Sequence, residues 1–244
     1  MTPHDNFKRA LELINQGRQT PTSIGLLQEK SLHATIKHMI DPDSENHEIL
    51  IDSLIADVFI NNTVYEIQTR HFDKLRPKIK KFTKEHTLHI IYPIAYKKVI
   101  RWYNTNHSFV KQNKSPKTGR IYDVLLELYK IRPYLNNPNL FIDLYFFHIE
   151  ELRSLDGWDT TKKKGATKID RLPVSLETII SLNNPQDYLK FLPETLVYPF
   201  TNKELSLSAR ITLRQATIIT ILLKELGLIK KVGTLNRFYL YDLI

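Results

Sequence analysis

The sequence contains no cysteine, and this absence excludes a disulfide framework and any zinc site built on thiolates. Glycine is scarce, with 7 residues in 244, and no glycine-rich phosphate loop occurs. No apolar run approaches the ~18 residues of a membrane-spanning helix, and the polar N-terminus lacks the apolar core of a signal peptide. No internal repeat of fixed period is present. Together these absences predict a soluble protein of the reducing cytoplasm with no membrane partner.

What the chain has in excess is positive charge, with a net charge of +9 and a pI near 9.5. Such an excess favours a polyanionic partner, most often nucleic acid, although solubility alone also accounts for it. Residues 97–122 hold seven Lys/Arg and no Asp or Glu, with aromatic residues between them. We select Lys114, Lys117 and Arg120 as phosphate contacts, because KSPKTGR forms a basic loop before a helix expected at 121–132. A solvated linker explains this loop equally well.

Two carboxylates lie on a predicted β-hairpin, SLIADVFI-NN-TVYEIQT. Asn-Asn between two runs rich in Val, Ile, Thr and Tyr indicates a two-residue turn at Asn61-Asn62. If Ile60 pairs with Thr63, Asp57 lies opposite Glu66 on the same face of the sheet. The hairpin therefore predicts a cross-strand pair of acids.

The negative charges of two such opposed acids need compensation. Directly opposed side chains have Cβ atoms ~4.5–5.5 Å apart, and like charges at that spacing repel. One acid must bind a proton unless a cation lies between them, and Mg²⁺ fits because it prefers oxygen ligands. A solvated acidic face is the alternative, but Ile55, Phe59 and Val64 are expected on the same face, which favours a functional pair.

The surrounding elements occur in the order helix, three strands, helix, strand. We predict a helix over 23–40, strands over 48–52, 53–60 and 63–69, a helix over 72–85 and a strand over 87–94. This order, with the acids at Asp57 and Glu66, resembles the PD-(D/E)xK or restriction-endonuclease-like nuclease superfamily over residues 22–95. The resemblance implies an α/β fold with an αβββαβ core and a mixed sheet.

The resemblance also implies a chemistry. Asp57 matches the first acid of the superfamily motif and Glu66 the second, while Glu29 on the first helix matches an additional metal ligand. Gln68 stands where the motif has lysine. By this resemblance the four residues form the catalytic site of a Mg²⁺-dependent DNA endonuclease, with Mn²⁺ as a substitute cofactor.

Glutamine at position 68 departs from the motif, because an amide orients a water molecule but supplies no positive charge. Arg70, Lys74 and Lys30 are the candidates to replace that charge, and Arg70 is also a candidate nucleic-acid contact. The nine histidines form no ligand set with the carboxylates in the sequence and are expected to be ordinary core or surface residues.

Farther along, a strand is expected over 140–149, a basic hairpin loop over 157–171 and a junction over 172–190. Beyond it lie a short helix capped by Thr201, a helix from Thr212 to Gly227 and two short strands around Gly233. This segment resembles winged helix-turn-helix domains, so we predict two domains, 1–182 and 183–244. The resemblance implies nucleic-acid contacts from the helix and wing at Thr212, Arg214, Gln215, Lys230, Lys231 and Arg237. A winged helix used for protein contacts is the alternative.

The sequence therefore predicts an endonuclease acting on DNA, most simply duplex DNA. Two other functions stay open. Gln68 is compatible with an inactive nuclease fold that binds DNA as a regulator, or with a nuclease subunit that needs a partner protein or a homodimer. RNA as the substrate also stays open.

Overall fold

The computed structural model describes residues 2–16, 30–158 and 164–244. Six α-helices and ten strands occur in this part of the chain. The helices are α1 (Pro3–Gln16), α2 (Ser31–Ile40), α3 (Arg76–Phe82), α4 (Leu125–Ile131), α5 (Asn202–Ala209) and α6 (Leu213–Glu225). The strands are β1 (His47–Ile51), β2 (Leu54–Ile60), β3 (Thr63–Ile67), β4 (Thr87–Tyr103), β5 (Phe109–Lys114), β6 (Leu140–Trp158), β7 (Lys164–Leu182), β8 (Phe200–Thr201), β9 (Ile229–Leu235) and β10 (Phe238–Leu243).

A large mixed sheet organises the molecule, in the strand order β1-β2-β3-β4-β6-β7 with β5 paired to β4. β1, β2 and β3 form an antiparallel meander, β4 runs parallel to β3, and β6 runs parallel to β4. The fold is therefore mixed α/β, as expected.

The predicted hairpin register is confirmed. Asn61 and Asn62 both have positive φ (49° and 61°), which the two central residues of a type I′ turn require. Ile60 pairs with Thr63 and Val58 with Tyr65. The Asn-Asn turn thus fixes the register that brings Asp57 toward Glu66.

The helices cover the two faces of this sheet. One buried cluster includes Phe7 of α1 and Ile36 of α2, packed against residues such as Phe147 of β6. The other includes Ile79 of α3, Leu128 of α4 and buried residues of α5 and α6. Pro77 lies in the first turn of α3, where the ring is tolerated because no intrahelical hydrogen bond is lost.

The strands are longer than predicted on one side of the sheet. β4 extends to Tyr103, β6 to Trp158 and β7 back to Lys164, so their far halves form a projecting shelf. The loop expected over 157–171 is wrong for 157–158, which belong to β6, and for 164–171, which belong to β7, while 159–163 lie outside the described residues. The junction expected over 172–190 is wrong for 172–182, which also belong to β7. Cross-strand pairing with β6 decides this, and a single sequence does not show which runs will pair.

The C-terminal segment has the predicted order of helix, helix and two strands. Thr201 and Thr212 each cap a helix through a reciprocal capping box, with Glu204 and Gln215. Gly227 follows α6 with a φ of 72°, which suits glycine. One buried cluster contains residues from both sides of position 183, so this segment shares its core with the large sheet.

No helix within the described ranges is long and apolar enough to cross a membrane.

Candidate functional site

Asp57 lies where β2 and β3 separate. The pairing of β2 with β3 ends at Val58 and Tyr65, and beyond it the backbone N–H of Ile67 donates to the side-chain oxygen Oδ2 of Asp57 at 2.6 Å. His33 Nε2 of α2 lies 3.4 Å from the same oxygen. Burial raises the pKa of Asp57, but the hydrogen bond and charge of His33, with the Ile67 N–H, outweigh it and lower the pKa overall. Asp57 is therefore held as a carboxylate.

Glu66 is buried beside it, with only 3% of its surface exposed. Lys78 of α3 places its ammonium 2.7 Å from Glu66 Oε1 and 2.8 Å from Oε2, and also donates to the Ile55 carbonyl at 2.5 Å. Burial and the charge of Asp57 raise the pKa of Glu66 to about 7, against the opposing effect of Lys78. A protein ammonium thus supplies part of the positive charge that the pair of acids needs.

The sequence did not single out Lys78. It belongs to the basic face of α3, but its meeting with Glu66 depends on how the β3–α3–β4 crossover packs. The expected apolar surroundings hold for Val64, which is fully buried, and for Phe59, which packs on the core. They do not hold for Ile55, which is 50% exposed because the hairpin is open to solvent at that point.

A histidine and a third acid join Asp57. Ligand atoms of His33, Glu48 and Asp57 all lie within 4.8 Å of one another. Glu48 also pairs with Lys37 at 2.9 Å, and its φ of 54° is unusual for a residue other than glycine. The expectation that no histidine joins the carboxylates is therefore wrong, because α2 packs across β2 and β3 and carries His33 to Asp57.

The other predicted catalytic residues have different outcomes. Glu29 lies outside the described residues. Gln68 follows the last residue of β3, and its side-chain amide donates to the Arg70 carbonyl. β3 ends at Ile67, so Arg70 lies beyond the strand, with an exposed side chain that lines the cleft described next.

A basic cleft adjoins these residues, because β3 ends while β4 and β6 continue. Two adjoining cavities of about 560 and 380 Å³ share Thr69, Arg70, Pro93 and Arg171 in their walls. The walls carry seven cationic side chains against three carboxylates. The cations are Lys30, Lys37, Arg70, Lys98, Lys117, Lys168 and Arg171, and the acids are Glu48, Asp123 and Asp170. Lys30 and Arg70, two of the three candidates to replace the motif lysine, are in these walls, but Lys78 is the residue that contacts Glu66.

The loop over 114–120 is packed rather than free. A Cβ at Gly119 would overlap the Ala95 carbonyl of β4, so only glycine fits there. Lys114 and Lys117 are exposed, and Lys117 pairs with Asp123 at 3.3 Å. Arg120 donates to the carbonyls of Ala209 (2.5 Å) and Arg210 (2.9 Å), which ties the large sheet to the end of α5.

The predicted contacts of the C-terminal segment lie on the surface. Arg214 is exposed in the first turn of α6, while the side chain of Gln215 is engaged in the cap with Thr212 at 3.0 Å. Lys231 lies over the Tyr239 ring at 3.6 Å. Lys230 is exposed on β9, and Arg237 lies in the β9–β10 turn. Their nucleic-acid contacts stay predictions.

Comparison with known proteins places the large sheet in a family. The model of a family described as a domain of unknown function, DUF8091, matches residues 30–183, which include the two acids and the cleft. An uncharacterized protein of Treponema pallidum (strain Nichols) is 25% identical over 177 residues, covering 70% of each chain. No solved structure matches.

Proposed function

The chain belongs to the DUF8091 family, and we propose that it is a metal-dependent nuclease that hydrolyses phosphodiester bonds of DNA. One observation carries this proposal: Asp57 and the buried Glu66 are coupled electrostatically, and His33, which contacts Asp57, lines a basic cleft. A carboxylate pair with a nearby ammonium is the set of groups that metal-assisted phosphoryl transfer uses.

Lys78 is the central protein group in this proposal. The motif lysine is absent at position 68, and Lys78 brings an ammonium to Glu66 from α3 instead. A cation in this position stabilises negative charge that develops on the transferring phosphate. Gln68 then needs only to orient a water molecule, since Lys78 of α3 supplies the positive charge.

The donor set fits a divalent cation. Asp57 and Glu66 would hold it, with His33 and Glu48 as further ligands in the place we expected for Glu29. Bound there, a metal would polarise a phosphoryl oxygen and lower the pKa of a water molecule. Carboxylates suit Mg²⁺ and Mn²⁺, whereas an imidazole suits transition metals better, so the set favours Mn²⁺ over Mg²⁺.

The positive cleft and the winged arrangement support DNA as the substrate. The cleft is lined by His33, the partner of Asp57, and its cationic walls attract a phosphate backbone without reading its sequence. Arg214 on α6 and Lys230 and Arg237 on the β9–β10 hairpin are the nucleic-acid contacts that the resemblance to winged helices implies, and their exposure supports that role.

The test is cleavage of supercoiled plasmid and of labelled single-stranded DNA and RNA in Mg²⁺ and in Mn²⁺. Asp57→Asn and Glu66→Gln should each lower the rate by about 10² or more while leaving folding intact. Asp52→Asn is the matched control, because Asp52 is an exposed acid in the neighbouring β1–β2 turn. Cleavage retained in the Asp57 and Glu66 variants would refute the proposed site.

One contact favours a second function, a nuclease fold that binds DNA without cutting it. Lys78 engages both oxygens of Glu66, and a permanent ion pair there would leave Glu66 unavailable to a metal. Salt-dependent DNA binding with no cleavage by any preparation, in any divalent metal, would support this function and refute the nuclease.

A further inference from the structure

A second charged centre lies on the shelf, around Glu151 of β6. Its side chain is 1% exposed, although the residue is ionisable and lies in the projecting half of the sheet. Glu151 pairs across the strands with Arg171 of β7 and with Ile100 of β4. Lys98 and Arg153 are each two residues from these positions, so strand alternation directs their side chains to the same face.

Four cations converge on this one carboxylate. Arg153 contacts Oε1 at 2.5 Å, while Arg171, Lys98 and Lys168 lie 3.2, 3.3 and 4.0 Å from Oε2. Hydrogen bonds and charges from these groups lower the pKa of Glu151 to about 2, against the effect of burial. Glu151 is thus a buried anion, and its charge holds together four cations that would otherwise repel one another.

The cluster keeps an excess of positive charge that faces the cleft. One carboxylate balances one cation, and Lys98, Lys168 and Arg171 all line the cleft walls. Asp170 also lines the cleft, but its oxygens accept from the backbone N–H groups of Ser31 and Arg171 and from the Ser31 hydroxyl. Burial and the neighbouring charge of Arg171 lower the pKa of Lys168, as expected where cations are crowded.

We propose that Lys98, Lys168 and Arg171, held in place by Glu151, form a phosphate-binding site for the backbone of the polynucleotide in the cleft. The site is prearranged, since the buried Glu151 already orders the cations and little side-chain entropy remains to be lost on binding. It holds a phosphate group away from the acids and so fixes the position of the strand along the cleft. The inference rests on the proposed action on a polynucleotide. It assigns these three cations to binding the phosphate backbone, with no part in the hydrolysis itself.

The test is binding of a fluorescein-labelled single-stranded oligonucleotide to the full chain in EDTA, measured by anisotropy over a KCl series. Lys168→Gln and Lys98→Gln should each weaken binding about fivefold or more, with a salt slope reduced by about 0.7. Lys84→Gln is the matched control, because Lys84 is exposed after α3 and lines neither cavity. Unchanged affinity and salt slope in both cleft variants would overturn the proposal.

Competition identifies the source of the phosphate. Pyrophosphate should displace the oligonucleotide only at a large molar excess, because a backbone engages the whole cleft. Displacement at comparable concentrations would overturn assignment to a polynucleotide. Since EDTA prevents metal-dependent cleavage, binding that depends on Lys168 without any cleavage in Mg²⁺ or Mn²⁺ would refute the nuclease and leave this site standing.

Discussion

Replacing Glu151 with glutamine removes the anion at the centre of the cation cluster while keeping the shape of the side chain. In the folded protein the carboxylate has a pKa of about 2, compared with an ordinary value of 4.5. This difference corresponds to about 3 kcal/mol of folding free energy at neutral pH. The cations are 22–33% exposed, so solvent screens part of it, and we expect Glu151→Gln to cost about 2 kcal/mol.

The pH dependence follows from the direction of the shift. Above about pH 4.5 the carboxylate is ionised in both folded and unfolded chains, and its full contribution is present. Between about pH 4.5 and 2 the unfolded chain binds a proton that the folded chain does not, so stability falls as the pH falls. The difference between the wild-type protein and the variant should therefore shrink below about pH 4.5.

Urea unfolding of both proteins, from neutral pH down to the lowest pH at which the wild type is folded, measures this difference directly. Equal urea m-values would show that both unfold to the same extent. A loss below about 0.5 kcal/mol at neutral pH, or one that stays constant through the acid range, would refute the assignment of Glu151 as the ionised anchor.

Three further results are expected. Lys78→Met should lower Mn²⁺-dependent cleavage by about 10² or more, and adding Gln68→Lys should restore part of the rate; cleavage at the wild-type rate in Lys78→Met would refute the role of Lys78. Cleavage should be faster in Mn²⁺ than in Mg²⁺, and His33→Ala should reduce that preference; an unchanged metal ratio would exclude His33 as a ligand. Arg120→Ala should lower the free energy of unfolding measured in urea by about 1–3 kcal/mol, because two carbonyls at the end of α5 lose a charged donor. A change in DNA affinity without a loss of stability would instead make Arg120 a nucleic-acid contact.

Local features of the fold follow from the sequence. The β2–β3 register follows from Asn61 and Asn62, because a two-residue turn leaves one pairing of the flanking strands. The caps at Thr201 and Thr212 follow in the same way, since each involves residues three apart. The strand lengths of β4, β6 and β7 were predicted poorly, because their far halves are stabilised by pairing with each other rather than by an alternating pattern of their own.

The sequence by itself determined that the chain is basic and that the register of the β2–β3 hairpin brings Asp57 toward Glu66. Only the tertiary structure decided what surrounds them, because Lys78 and His33 reach the acids from helices on opposite faces of the sheet. The tertiary structure alone also decided the surroundings of Glu151. Its partners come from three strands, and the most distant two, Lys98 and Arg171, are 73 positions apart in the sequence. Periodicity and turn chemistry act between near neighbours, whereas electrostatic clusters form wherever packing brings distant elements together.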